Sequence, residues 1–104
     1  MNNNISDLLK EYVEGTVKNL VDKPEEAKIA CSVSTKLVII QIDVAPTDRG
    51  KIIGKGGRII DALKVIVSAI KNARFPKDPK KVALEIIEDE NSNFSYLESR
   101  GGGK

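Results

Sequence analysis

The chain has 104 residues, 40% hydrophobic and 31% charged, with a formal net charge of +2. That length suits one domain, and the composition suits a small globule rather than a disordered or fibrous chain. No histidine is present, which removes the commonest general base, the Ser–His and Cys–His nucleophile pairs and nearly every zinc site. The expectation is therefore a non-catalytic protein with no metal and no cofactor. The aromatic residues are Tyr12, Phe75, Phe94 and Tyr96, too few for a platform that stacks bases. The longest aliphatic run, Leu37 to Ile40, falls far short of the ~20 residues of a membrane span. Met1-Asn2-Asn3-Asn4 has neither the basic nor the apolar character of a signal peptide. Cys31 is the one cysteine and has no partner for an internal disulfide, so the expected setting is a reducing cytoplasm without membrane contact.

Ile5, Leu8, Leu9, Tyr12, Val13, Thr16, Val17, Leu20 and Val21 recur in steps of three and four, predicting a helix over Ser6 to Val21. Asn4 or Ser6 can cap its start, and Asp22-Lys23-Pro24 ends it. Ile29, Cys31 and Val33 then alternate along a first strand, Ala27 to Val33. After the polar turn Ser34-Thr35-Lys36 comes a second strand, Leu37 to Val44, with Leu37, Ile39 and Gln41 on one face and Val38, Ile40, Ile42 and Val44 on the other. The pair predicts an antiparallel hairpin. Ala45-Pro46-Thr47 stops the second strand, and Thr47 is a candidate N-cap for a short helix from Asp48 to Ile53. Beyond Gly54-Lys55-Gly56-Gly57, the spacing of Ile59, Ile60, Leu63, Ile66, Val67, Ile70 and Ala73 predicts a second long helix, ending near Arg74. Arg74 to Lys81, with Pro76 and Pro79, forms a stiff basic linker, and Lys81 to Ile87 alternates as a third strand. The expected domain spans residues 5–89, between a disordered start, 1–4, and a flexible polar, Gly-rich tail, 90–104.

The segment from Asp48 to Ala62, DRGKIIGKGGRIIDA, holds four of the chain's eight glycines, and Arg49, Lys51, Lys55 and Arg58 against Asp48 and Asp61. Glycines between two helices permit positive φ and let another molecule's backbone approach. Free amides in such a turn and at the next helix start favour an anion, most often a phosphate. The spacing excludes two nucleotide loops. Gly50 and Gly54 enclose three residues where a Walker loop needs four, and Gly56 follows Lys55 where that loop has a hydroxyl. A dinucleotide fingerprint needs glycine where Ile59 stands. A helix-hairpin-helix is closer, but Lys55 and Ile60 depart from its pattern.

Gly54-Lys55-Gly56-Gly57, with Ile52-Ile53 before it and Arg58-Ile59-Ile60 after it, resembles the GXXG loop of KH domains, which clamps the backbone of single-stranded RNA. With the order α-β-β-α-α-β, the whole of Ile5 to Ile87 resembles the KhpA family of small single-KH bacterial RNA-binding proteins. The resemblance implies an α+β fold, a single type II KH domain with a three-stranded sheet and helices packed on one face. It implies an RNA site at Gly54, Lys55, Gly56, Gly57, Arg58 and Lys51, with Ile52, Ile53, Ile59 and Ile60 as groove positions shared out between groove and core. It also implies a homodimer, or a heterodimer with a larger KH-containing protein. The alternative is a protein-interaction module in which the fold mainly mediates dimerisation. Lys51, Lys64 and Lys71 individually read as solvated charges and Cys31 as core packing; Arg74, Lys77, Lys80 and Lys81 read as either an extension of the RNA path or a solvated turn. Glu88-Asp89-Glu90 reads as surface charge. Phe94, Tyr96 and Leu97 either dock on the domain or await a partner.

Overall fold

The computed structural model describes residues 4–88. The expectations for residues 1–3, for Asp89 and Glu90, for the tail 90–104 and for Phe94, Tyr96 and Leu97 lie outside the described residues. Helix α1 spans Ile5–Leu20, and the Asn4 side chain caps it by accepting from the Ser6 amide at 2.8 Å. Strands β1, Lys28–Val33, and β2, Leu37–Asp43, form the expected antiparallel hairpin. Ser34 closes its turn: its amide donates to the Leu37 carbonyl at 2.8 Å, and its hydroxyl accepts from the Leu37 amide at 3.1 Å. After β2 come the short helix α2, Arg49–Ile53, the long helix α3, Arg58–Arg74, and strand β3, Lys81–Ile86. The sheet order is β1-β2-β3, with β3 parallel to β2. The parallel pairing follows from the connection, since α3 carries the chain back along the sheet before β3 begins.

The registers line up three rows across one face of the sheet: Ile29, Ile42 and Ile86; Cys31, Ile40 and Leu84; Val33, Val38 and Val82. Leu9, Val13 and Val17 of α1, Ile52 of α2, and Ile60, Leu63 and Val67 of α3 close over this face to make one core. Helix α3 holds six β-branched residues, each costing up to ~0.7 kcal/mol in helix propensity. Burying Ile60, Leu63 and Val67 gains about 1.5–3 kcal/mol apiece, so packing decides this helix. Among the described residues no helix covers the opposite face of the sheet, where Gln41 donates to Glu85 across the β2–β3 pair at 3.1 Å.

Two positions differ from expectation. The chain from Pro46 to Asp48 is a 3-10 turn, and α2 begins at Arg49 with no side-chain cap. Asp48 is fully buried because its carboxylate is drawn inward, accepting from the Asp22 amide at 3.1 Å and the Lys23 amide at 3.0 Å. It ties the exit of α1 to the entry of α2. Lys71, expected as a solvated charge, is 4% exposed. It lies four residues beyond Val67 on the buried side of α3, and its ammonium donates to the Asp78 carbonyl oxygen. Cys31 is half-buried against the core, and burial pushes its thiol above the ordinary value, with Asp7 adding to the rise.

Replacing Asp48 by alanine leaves two amides unpaired where α1 ends. Hydrogen bonds to a charged group contribute about 1.5–3 kcal/mol each, so Asp48→Ala is expected to lower the unfolding free energy by about 3 kcal/mol. Urea titration measures this as a lower midpoint with an unchanged slope.

Candidate nucleic-acid interface

Between α2 and α3 the chain turns through Gly54, Lys55, Gly56 and Gly57, and all three glycines hold positive φ, 76°, 64° and 81°. Gly54 and Gly56 need glycine for different reasons. At Gly54, with ψ at 171°, the backbone occupies a region essentially closed to other residues. A Cβ there would lie 2.6 Å from Ile59 Cγ1 and 2.9 Å from the Ile59 amide nitrogen. At Gly56 the conformation is left-handed, but a Cβ would meet nothing within 4 Å.

The loop's hydrogen bonds determine which amides remain for a ligand. The Gly54 amide donates to the Gly50 carbonyl at 2.8 Å, and the Gly57 amide donates to the Gly54 carbonyl at 3.1 Å. The Arg58 amide donates to the Lys55 carbonyl. Among the described residues, the amides of Lys55 and Gly56 have no acceptor. The free amides of the turn are thus these two alone among Gly54 to Gly57, because the turn closes on itself through Gly54 and Gly57. Lys55, Gly56 and Arg58 are exposed. Neither Lys55 nor Arg58 is in an ion pair among the described residues. These cations stand at the N-terminus of the 17-residue α3, whose dipole adds partial positive charge at the same place. Lys51 sits one turn earlier and reaches Asp22 at 3.5 Å. Both side chains are largely exposed, so solvent screening makes this a weak pair that an anion can displace.

The aliphatic candidates separate cleanly. Ile52 and Ile60 have no exposed surface and belong to the core, which corrects their place in the groove: a side chain without accessible surface meets no ligand. Ile53 is half-buried against the core, and Ile59 is 36% exposed beside Gly54. Two residues overlooked in the sequence support the site from behind. Asp48 fixes the entry of α2, and the Arg49 guanidinium donates to the Glu88 carbonyl oxygen, joining α2 to the end of β3. No sequence signal marks Asp48, because its partners are backbone amides some 25 residues away. Gly54→Ala is expected to cost at least about 3 kcal/mol, since strained backbone and steric conflict combine, whereas Gly56→Ala costs about 1 kcal/mol. Thermal unfolding of the two variants side by side checks the order.

Comparison with known proteins identifies the family. The family described as KhpA/KhpB, KH domain, matches residues 10–86. A relative from Chlamydia trachomatis named RNA-binding protein KhpA is 42% identical over 81 residues, covering 78% of this chain and 99% of its own. Relatives of the same name from Clostridium perfringens and Aquifex aeolicus are each 42% identical, over 79 and 80 residues. These alignments cover 76% and 77% of this chain, and 100% and 96% of theirs. No solved structure matches the chain. A loop of three positive-φ glycines between α2 and α3, on the α-β-β-α-α-β frame, is thus accompanied by close relatives along nearly their whole length, and the chain belongs to the KhpA/KhpB family of KH-domain proteins.

Proposed function

We propose that this protein is a non-catalytic RNA-binding module, and that single-stranded RNA crosses the loop between α2 and α3. The observation that carries this reading is the adjacent unpaired amides of Lys55 and Gly56, flanked by the exposed cations Lys55 and Arg58. Two successive N–H groups at a helix start hold phosphate oxygens through directional bonds, and the side chains add long-range charge. The half-buried Ile53 and the exposed part of Ile59 offer apolar surface to an unstacked base. The relatives' name, RNA-binding protein, supports the same ligand. Among the described residues no helix is long and apolar enough to cross a membrane, and a cytoplasmic setting fits the reading.

Contact with two to four phosphates gives a slope of log K against log salt of roughly −1.5 to −3. The variant Lys55→Asp with Gly56→Asp places two carboxylates where a phosphate would sit, and the open space at Gly56 lets the chain fold. Fluorescence anisotropy with a labelled oligouridylate is expected to show binding by the parent with that slope and none by the variant. Equal binding by a folded double variant overturns the reading.

A second observation favours pairing with another KH chain, alongside RNA binding. Helix α3 turns Ile59, Ala62, Ile66, Ala69 and Ala73 outward, in alternating steps of three and four, with Val65 67% exposed beside them. That spacing is the seam of paired helices, and alanine between isoleucines permits close approach. Ile66→Glu should convert a sedimenting dimer to a monomer while leaving the circular dichroism unchanged. A parent that stays monomeric at high concentration, and ignores a larger KH-containing protein, removes this second reading.

A further inference from the structure

At the other end of α3 from the glycine loop, the helix, the turn after it and the start of β3 enclose a cleft of about 360 Å³. One water needs roughly 10–15 Å³ on that measure, so the space holds a phosphate group with its hydration. Lys64, Ser68, Lys71, Asn72, Lys80 and Lys81 line it, each with a proton to donate. Among the described residues the only acid on its wall, Asp78, is already engaged: its carboxylate accepts from the Lys80 amide at 2.9 Å and pairs with the Lys80 ammonium at 3.3 Å. The Lys80 amide holds this carboxyl below the ordinary carboxylate range. Four lysines against one carboxylate leave three positive charges in excess.

Lys71 stands apart from the other three lysines. Its ammonium is buried, donates to the Asp78 carbonyl oxygen and reaches Asn72 Oδ1 at 3.4 Å. Among the described residues it has no carboxylate within ion-pair distance. A buried cation met only by neutral acceptors carries an uncompensated desolvation cost, which an anion in the cleft offsets. The surroundings reinforce the charge. Arg74 and Lys77 are exposed on the adjoining turn, and Lys36 lies next to the cleft through the bond from the Lys81 amide to its carbonyl, at 3.0 Å. The contrast with the surface depression on α1 is plain, since Asp7, Glu11 and Glu14 line that one against Lys10.

The cleft is aligned with the loop. Lys64 and Lys71 are seven residues apart, nearly two turns, so both lie on one side of α3, seven and fourteen residues beyond Gly57, the last residue of the loop. At 1.5 Å per residue they stand about 10 and 21 Å along the axis from the loop. We propose that the cleft is a second phosphate-binding subsite, which takes a phosphodiester of the same RNA strand that crosses the glycine loop. This rests on the RNA-binding reading above. The lining consists of ammonium, hydroxyl and amide groups, so the subsite grips backbone and extends the footprint without reading sequence.

The test uses the full 104-residue chain, a tetranucleotide of uridine, an oligouridylate about three times longer, which is long enough to span loop and cleft, and inorganic phosphate. Lys64→Gln with Lys81→Gln is expected to weaken the longer oligonucleotide about tenfold and flatten its salt slope by about 1.4, as for two lost contacts on a single strand. Binding of the tetranucleotide should stay as in the parent. The loop variant, Lys55→Asp with Gly56→Asp, should lose both oligonucleotides. Inorganic phosphate should shift the backbone NMR signals of Ser68, Asn72 and Lys80 in the parent and not in the lysine variant. A lysine variant that binds the longer oligonucleotide as the parent does overturns the cleft proposal and leaves the loop reading standing. If phosphate still shifts those signals in that case, the cleft serves a free anion and not the strand. A loop variant that keeps full affinity for the tetranucleotide overturns the loop reading, and a parent that binds neither oligonucleotide overturns both.

Discussion

Ile59 lies against the bare α-carbon of Gly54, so close that a methyl group at that position would sit 2.6 Å from its side chain. This approach lets α2 and α3 meet across a turn of four residues. With Ile59 held there, Ile60 points into the core and Ile52 reaches the same core from the other helix. The chain between them is pushed outward, and Gly56 has open space around it. The glycines therefore divide the labour: Gly54 lets the helices pack, and Gly56 leaves the main chain open to solvent. The exposed cations matter because of this scaffold. On a slack turn, Lys55 and Arg58 would be two mobile charges; beside two fixed N–H groups they make the directional site that the proposed RNA contact requires.

Much of the fold was legible because its patterns are local and periodic. The alternation Val38, Ile40, Ile42 marks the buried face of β2, and the three-four spacing of Leu9, Val13 and Val17 marks the buried stripe of α1. Element order and the single covered face of the sheet followed from those patterns and from the KH resemblance. What stayed hidden depends on contacts far apart in sequence. Asp48 looks like an ordinary loop acid until the amides of Asp22 and Lys23 are seen converging on it. Ile52 and Ile60 cannot be told from Ile53 and Ile59 by composition; helical phase around the turn decides it. Lys71 is the instructive failure. Its position on the core stripe of α3 was readable, but its charge argued for solvent, and the Asp78 carbonyl that lets it stay buried belongs to the next turn of chain.

The small net charge of +2 conceals a strongly uneven surface. Acidic side chains gather on α1, and basic ones gather at both ends of α3. Such polarity orients an approaching polyanion before any contact forms, and it does so less effectively as salt rises. Since α3 also supplies core residues and an exposed aliphatic stripe, three of its sides face three different environments. A helix so committed has few positions where substitution is neutral, and its β-branched interior depends on all the packing remaining in place.

The parallel junction between β2 and β3 has a consequence for how the chain reaches its native state. The β1–β2 hairpin closes over a short turn and can form within microseconds. Strand β3 joins β2 only after two helices and the intervening loops have been gathered in, a long-range closure with a higher entropic barrier. Until that happens, the edge of β2 that pairs with β3 keeps its N–H and C=O groups unpaired. On that argument β3, its end held by the Arg49 hydrogen bond to the Glu88 carbonyl, is the strand whose docking takes the edge of β2 away from other unfinished chains.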